Sequence, residues 1–375
     1  MWGVSPSGRP GGLGLLPSAG EGRAGPRRTS HQGVEEVWFT KVMLTLPTPT
    51  VGVRKDDRPA YRPFAVRVRA VRGLSPHFVR VTFAGEDLAW FGTDGLDQRV
   101  KLVLPGADGT LPDVGAEDPE VILAGTWYAR LRALPHPTPF RTYTVRHVRP
   151  RVGEIDVDMV RHDGHGTGPA ARWLAGARVG DAAVVVGPGV RSRSSATGID
   201  WAPGTATDLL LAGDETAAPA ICAILESLPA GRRARAFVEV PTAADALDVT
   251  LPAGAQLTWL AREGRPHGDL LVPAVQQWVG ANAEVVDDAR AVEAQTLDDV
   301  DVDRETLWDS PVVQVLPVDL CGRGGERCGS DFYAWFAGEA AVIRTLRRAL
   351  VSEIGVCRRR VAFMGYWRLG RAEAQ

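Results

Sequence analysis

The sequence Arg141-Thr-Tyr-Thr144 lies in a short run of strand-forming residues and is followed by the turn Gly168-Pro-Ala170. Residues two apart in a strand share a face, so Arg141 and Tyr143 point to one side and Thr144 to the other. A helix that opens at the glycine turn presents free N–H groups and the positive end of its dipole. These groups suit a pyrophosphate beside a planar aromatic system, so the segment indicates a flavin site. An ordinary barrel strand with a surface arginine is the alternative.

The segments around this run predict a small antiparallel barrel. Phe64–Val71 and Phe78–Phe83 alternate apolar and polar residues across a Gly-Leu-Ser-Pro turn, which is typical of an antiparallel pair. Four more short strands follow, separated by Gly, Pro and Asp: Arg99–Leu104, Phe140–His147, Ile155–Val160 and Ala183–Val186. Several short strands with turn residues between them favour a barrel.

After about Pro203 the pattern changes to continuous apolar runs that alternate with helical segments. Such runs are typical of strands that are buried on both faces: Asp208–Ala212, Ala234–Val240, Leu257–Leu260, Tyr333–Ala337 and Arg360–Met364. Helices are predicted at Pro219–Leu228 and Ala340–Ile354. This alternation indicates an α/β domain with a parallel sheet.

The predicted organisation is a two-domain α+β chain of 375 residues. Residues 1–60 are expected to be a disordered extension, 61–195 the barrel and 205–375 the α/β domain, with an acidic surface insertion at about 282–309. The formal net charge of −2 gives no sign of a nucleic-acid-binding protein. No apolar run is long enough to cross a membrane. We therefore expect a cytoplasmic protein without nucleic-acid or membrane partners, whereas the sequence does not distinguish a monomer from a dimer.

The reactive side chains show no metal-binding or nucleophile pattern. The four cysteines contain no Cys-x2-Cys pair, so neither a zinc site nor an iron–sulfur cluster can be drawn from them. The histidines have no ligand spacing, and no nucleophile–His–Asp set occurs. We predict no metal site and no catalytic side chain.

Two glycine turns follow buried strands of the α/β domain, Gly213-Asp-Glu-Thr216 and Gly338-Glu339. Ligands of open α/β sheets bind at the carboxyl ends of the strands, so the turns are candidates for a nucleotide site. Ordinary helix-capping turns have the same pattern. Tyr366 and Trp367 end the last strand, where they either cover a planar cofactor or pack in the core.

Three cations complete the candidate residues. Lys101 lies on an early strand, and Arg191 and Arg193 lie in a loop. Each is most simply a solvated side chain, but together they could form a cationic entrance for an anionic ligand.

In this order the segments resemble those of the siderophore-interacting proteins, which are flavin-dependent ferric-siderophore reductases related to ferredoxin–NADP reductases. The resemblance covers about 62–368, apart from the acidic insertion. The ordered set is specific although no single member is: Asp97-Gln-Arg-Val-Lys-Leu, Arg141-Thr-Tyr-Thr, His162, Gly168-Pro-Ala with Trp173, Gly187-Pro188, Gly213-Asp-Glu-Thr, Tyr333-Ala-Trp-Phe-Ala-Gly-Glu339 and Gly365-Tyr-Trp-Arg.

The resemblance implies FAD with NADH or NADPH as cofactors, a ferredoxin reductase-like fold and a ferric siderophore as substrate. The residues that it implies for FAD are Arg141, Tyr143, Thr144, His162, Gly168, Ala170 and Ala171. Those that it implies for the nicotinamide nucleotide are Gly213, Asp214, Glu215, Thr216, Gly338 and Glu339. Tyr366 and Trp367 complete the predicted cofactor set. Lys101 belongs by resemblance to the basic pocket for the ferric chelate, and Arg191 and Arg193 are added as candidates.

Two positions depart from the family's pattern. Ala171 stands where the family usually has Ser or Thr, so one hydroxyl contact to the diphosphate is absent. Gly189 stands where an arginine is expected beside the substrate, and Arg191 or Arg193 would have to replace it.

The implied activity is the reduction of a ferric siderophore, in which NAD(P)H passes hydride to the flavin and the flavin passes single electrons to Fe(III). A general flavin reductase or diaphorase and a siderophore-binding protein without turnover are the alternatives. Glu239 argues against the 2′-phosphate of NADPH and Arg262 argues for it, so the sequence leaves the choice of nucleotide open.

Overall fold

In the computed structural model an antiparallel barrel precedes an α/β domain, as the sequence predicts. The structure describes residues 53–92, 95–106, 108–134, 140–161, 168–291, 295, 297, 300, 302, 306–311 and 331–370. Within these ranges no helix has the length and apolar character needed to span a bilayer.

Six strands close the barrel in the order β1–β2–β5–β4–β3–β6, and neighbouring strands are antiparallel. They are β1 (Tyr61–Gly73), β2 (Phe78–Ala84), β3 (Arg99–Val103), β4 (Phe140–Arg149), β5 (Glu154–Val160) and β6 (Ala182–Pro188). Helix α3 (Pro169–Gly176) packs on the barrel core, where Trp173 stacks on Phe83 with ring centroids 6.1 Å apart. The sequence did not predict α1 (Pro119–Ala124) and α2 (Trp127–Arg132), which lie between β3 and β4.

The extension that the sequence predicts to be disordered through residue 60 is part of the fold from residue 53. The backbone N–H of Asp56 donates to the carbonyl of Arg191 at 2.9 Å, and the N–H of Arg193 donates to the carbonyl of Asp56 at 3.0 Å. These bonds attach the segment to the loop that follows β6, so the boundary of the barrel lies before Tyr61.

The second domain has one sheet in the order β10–β12–β11–β7–β8–β9. Its strands are β7 (Asp208–Gly213), β8 (Arg233–Val240), β9 (Ala255–Ala261), β10 (Trp308–Asp309), β11 (Phe332–Glu339) and β12 (Val361–Trp367). Its helices are α4 (Ala218–Glu226), α5 (Leu271–Ala281), α6 (Ala283–Asp287) and α7 (Ala340–Arg347), and α7 continues as a π-helical segment, Arg348–Ile354. Five strands are parallel, as predicted, whereas β10 pairs antiparallel with β12.

The acidic segment 282–309 is not wholly a surface insertion, which corrects the sequence-based expectation. Val286 and Leu307 are buried in the core of the α/β domain. Trp308 stacks on Tyr366 with ring centroids 5.7 Å apart, and the guanidinium of Arg99 in the barrel lies 4.3 Å from the centre of the Trp308 ring. Val286, Leu307 and Trp308 therefore anchor the described parts of this segment to the rest of the protein.

A buried carboxylate joins the barrel to the α/β domain. Asp97 accepts hydrogen bonds from the backbone N–H of Asp200 at 3.0 Å, from that of Trp201 at 3.2 Å and from the indole of Trp335 at 3.2 Å. Burial, and then the nearby charge of Asp200, raise the pKa of Asp97 to about 6. Phe78 of β2 is fully buried among side chains of the second domain. The two domains share a junction of polar bonds and apolar packing.

Candidate flavin and nucleotide site

Arg141 lies beside the first turn of α3 on the barrel. Gly168 precedes α3 in an extended conformation and, as a glycine, has no side chain with which to cap it. Pro169 has no N–H, so Ala170 and Ala171 supply the donors of this turn. The guanidinium of Arg141 lies 3.8 Å from the position that a Cβ atom on Gly168 would occupy. Backbone donors beside an arginine fit the diphosphate of a dinucleotide cofactor.

The side chains of β4 alternate as the sequence predicts. Tyr143 packs against the barrel core, and Arg141 lies on the same face of the strand. Thr144 is buried on the opposite face, directly across from Arg99 of β3. His162, the remaining residue predicted for the diphosphate, lies outside the described residues.

Asp214 connects three strand ends of the α/β domain. Its carboxylate accepts a hydrogen bond from the backbone N–H of Glu339 at 2.7 Å, from the indole of Trp367 at 2.7 Å and from the hydroxyl of Thr216 at 2.6 Å. Gly338 has φ 151°, and a Cβ atom there would lie 2.7 Å from this carboxylate. Burial, and then a neighbouring carboxylate, raise the pKa of Asp214 to about 6. The structure thus brings together the two glycine turns that the sequence predicts as a site.

The other two carboxylates of these turns have partners within the protein. Glu215 is buried and forms two hydrogen bonds with the guanidinium of Arg262, at 2.7 and 2.8 Å. Glu339 caps α7 by accepting the N–H groups of Ala341 at 2.7 Å and Val342 at 3.0 Å. If these residues contact a nucleotide, as predicted, their backbone groups are better placed to do so than their carboxylates, which already have partners.

The two aromatic residues at the end of β12 have different surroundings. Tyr366 stacks on Trp308 and meets the edge of Trp335, and its hydroxyl is buried. Burial also raises its pKa well above the ordinary value. Trp367 instead meets His267 edge to face, with ring centroids 4.9 Å apart, beside Asp214. Core packing accounts for Tyr366, whereas Trp367 lies at the strand ends where a cofactor would approach.

Asp214, Glu215 and His267 place possible ligand atoms within 4.8 Å of one another. Asp214 already accepts hydrogen bonds from Thr216 and Trp367, and Glu215 is paired with a guanidinium. Burial, and then the charge of Arg262, lower the pKa of His267. Hydrogen bonds and an ion pair explain the cluster, so we assign no cation to it.

The three predicted substrate cations have separate partners in the part of the chain that the structure describes. Lys101 donates to the hydroxyl of Thr142 at 3.0 Å. The guanidinium of Arg191 lies 3.5 Å from the centre of the Trp90 ring, and Arg193 pairs with Asp57 at 2.6 Å. That these three side chains line one basic pocket stays a prediction.

The sequence patterns give no role to Asp97 and do not place His267 near the nucleotide turns. The sequence offers one signal for Asp97, which is an aspartate at the start of a mostly apolar strand. Such a residue needs hydrogen-bond donors if it is buried. His267 lies in an irregular turn, and the flanking sequence does not indicate against which part of the protein this turn packs.

An antiparallel barrel with an arginine beside a helix N-terminus, followed by an α/β domain with a polar strand-end cluster, fits a flavoprotein reductase. Residues 67–192 match the model of the siderophore-interacting FAD-binding domain, and residues 206–370 match that of the siderophore-interacting proteins. The chain belongs to the siderophore-interacting protein family, with FAD as its cofactor. It is a flavin-dependent oxidoreductase.

Known proteins resemble the chain over most of its length. An uncharacterised protein of Mycobacterium tuberculosis is 35% identical over 82% of this chain and 91% of its own length. The ferric vibriobactin reductase ViuB of Vibrio cholerae is 29% identical over 80% of this chain and 87% of its own length. The crystal structure of a siderophore utilization protein from T. fusca has 26% identity and a TM-score of 0.57, covering 85% of this chain and 97% of that one.

Proposed function

We propose that the chain is a cytoplasmic ferric-siderophore reductase that takes its electrons from NADH or NADPH. The observation that carries the proposal is the first turn of α3 beside Arg141, which lies within the region that matches the siderophore-interacting FAD-binding domain. The resemblance to a ferric vibriobactin reductase supports the substrate class.

The electron count fits this assignment. A hydride carries two electrons and each Fe(III) accepts one, so one NAD(P)H reduces two ferric centres and leaves one proton. FAD, when it is bound, supplies the exchange between hydride and single-electron transfer. Hard oxygen donors hold Fe(III) more tightly than Fe(II), so reduction loosens the siderophore's hold on the metal.

The chain's own residues have positioning tasks in this reaction. Arg141 and the N–H groups of Ala170 and Ala171 would hold the diphosphate, and Tyr143 would border the flavin. The strand ends joined by Asp214 would receive the nicotinamide nucleotide. None of these tasks requires a side-chain base, in keeping with the sequence.

The test begins with anaerobic spectra of the purified protein, reconstituted with FAD if necessary. We expect bound flavin that NADH or NADPH bleaches, and Fe(II) that appears when a ferric siderophore is added. A protein that binds no flavin would contradict the proposal. Bound flavin that neither nucleotide bleaches would instead indicate siderophore binding without turnover, or an external donor.

A general flavin reductase or diaphorase is the second candidate, because Lys101, Arg191 and Arg193 have separate partners within the described residues. Substrate specificity separates the two candidates. We expect Lys101→Gln to raise KM for a ferric siderophore and to leave flavin bleaching unchanged. Lys55→Gln is the matched control, because Lys55 is exposed and bonded to Ser195 at 2.9 Å. Equal rates with siderophores, free flavin and dyes would favour the diaphorase.

A further inference from the structure

We propose that the chain uses NADH in preference to NADPH because its own carboxylates hold Arg262, the buried guanidinium at the nucleotide end of the sheet. This inference rests on the proposed nicotinamide donor. It concerns the ribose 2′ position, which is the only place where the two nucleotides differ.

The topology of the sheet locates that position. The connections from β7 to β8 and β9 run to one side, and β11 lies on the other side of β7. A nucleotide at such a switch point extends its adenosine ribose toward the end of the second strand. In this chain that strand is β8, which ends at Val240, and Arg262 follows the neighbouring strand β9.

Arg262 is occupied by carboxylates on two sides. Both terminal nitrogens bond to Glu215, at 2.7 and 2.8 Å, and the carboxylate of Glu239 lies 3.6 Å away. All three side chains are buried. Because this guanidinium is buried and its positive charge is already balanced by two carboxylates, a phosphate that approached it would find little uncompensated positive charge, and a shift of Arg262 toward the phosphate would leave a buried carboxylate unpaired.

Glu239 cannot turn away to relieve the charge. One of its oxygens accepts the N–H of Gly268 at 2.9 Å, and the other accepts those of Leu270 and Leu271 at 3.1 Å. These bonds anchor the start of α5. The negative charge of Glu239 therefore stays at the strand end where a 2′-phosphate would arrive.

Further charged groups at this end of the sheet contribute to the negative electrostatic potential around Arg262. Asp214 lies beside Glu215, and the exposed Glu263 accepts the N–H of Ala243 at 2.9 Å. Arg265, on the exposed turn after Arg262, adds a second positive charge. Glu239, Glu215, Asp214 and Glu263 outnumber the two arginines, so a phosphate carrying about −1.5 to −2 charge would meet an excess of negative charge.

The experiment compares the rate of flavin bleaching by NADH and by NADPH under anaerobic conditions, at equal ionic strength. We expect kcat/KM for NADH to exceed that for NADPH by at least about tenfold, since like-charge contacts cost more than the 1.4 kcal/mol that a factor of ten represents. Equal rates, or a preference for NADPH, would overturn the inference while leaving the proposed function intact. Bleaching by dithionite but by neither nucleotide would overturn both.

Variants identify the cause of the preference. Glu215→Gln removes the charge of the carboxylate that bonds Arg262 directly, leaves Glu239 as its remaining charged partner, and is expected to lower the NADH-to-NADPH ratio at least about threefold, with the effect persisting in high salt. Glu263→Gln removes the same charge without touching Arg262, so its smaller effect should vanish in salt. Arg265→Ala, at an exposed site that does not endanger folding, should change the ratio less than about twofold. A collapse of NADPH turnover in that variant would show that Arg265 binds the phosphate, against the inference.

Discussion

Helix α3 begins on a glycine that offers its first turn no capping side chain, whereas the carboxylates at the ends of β7 and β11 bond to donors of the protein itself. Both regions look alike in sequence, since each is a glycine turn between a strand and a helix. They differ in the hydrogen-bond partners of their polar groups. Changes at α3 should weaken cofactor binding, and changes at the strand ends should weaken the fold.

The largest effect is expected at Asp214. Asp214→Ala removes the acceptor of the Trp367 indole, of the Glu339 N–H and of the Thr216 hydroxyl. Because unsatisfied buried donors cost about 1–3 kcal/mol each, we expect the free energy of unfolding to fall by about 3 kcal/mol or more. Urea denaturation measures it, with the exposed Asp269→Ala as a control. A loss below about 1 kcal/mol would remove the distinction between the two regions.

Arg141 should show the opposite pattern. Arg141→Ala is expected to weaken FAD binding about 30-fold, equivalent to about 2 kcal/mol for a charged hydrogen bond, with little change in the stability of the apoprotein. Arg141→Lys should fall between, because lysine keeps the charge but not the planar fork. Titration of apoprotein with FAD gives the affinities, and Arg151→Ala supplies an exposed arginine of the barrel for comparison. Equal FAD affinity in the wild type and Arg141→Ala would refute the proposed role of Arg141 in holding the diphosphate.

The pH dependence of stability should reveal the buried carboxyls. The pKa values of Asp97 and Asp214 rise from 3.8 to about 6 on folding. Between these values the folded protein holds protons that the unfolded chain has released, so this stabilisation is complete below about pH 4 and is lost as the pH rises through 6. We expect Asp97→Asn to show a smaller loss of unfolding free energy between pH 4.5 and about 7 than the wild type. Identical slopes would contradict the raised pKa.

Asp245 should act in the other direction. Burial favours a higher pKa, but hydrogen bonds from Ser75, Thr242 and His77 outweigh it and lower the pKa to about 2. Its stabilisation is present above about pH 4 and is lost as the pH falls toward 2.

The smallest effect is expected at Ala171, in the first turn of α3. Ala171→Ser restores a hydroxyl at the helix end and should tighten FAD binding about fivefold, which corresponds to about 1 kcal/mol for a neutral hydrogen bond. Ala175→Ser, on the exposed part of the same helix, should leave the affinity unchanged. If both variants bind FAD equally, the hydroxyl does not reach the diphosphate.

Local periodicity accounts for what the sequence could predict. The barrel strands and the buried strands of the α/β domain follow patterns of two residues or of continuous apolar character, which short windows reveal. Helices α1 and α2 expose Leu123 and Tyr128, so their apolar pattern does not mark one buried face. Strand β10 has only two residues, too few for any pattern.

The sequence predicts where the residues of the candidate site lie along the chain, but not which residues they bond to. The glycine turns and Arg141 could be located from strand order, since ligand sites follow strand ends. That Glu215 pairs with Arg262, or that Asp97 bonds to Trp335 across 238 residues, depends on how distant segments meet. Such pairings require the three-dimensional fold.

The burial of Phe78 within the second domain has a consequence for how the chain folds and how it can be divided. A barrel separated from its partner near residue 200 would expose this ring to water and leave Asp97 without the donors of Asp200, Trp201 and Trp335. We therefore expect the two halves to fold and unfold as one cooperative unit. Exchange of either half with a relative would succeed only if both sides of the junction were carried across together.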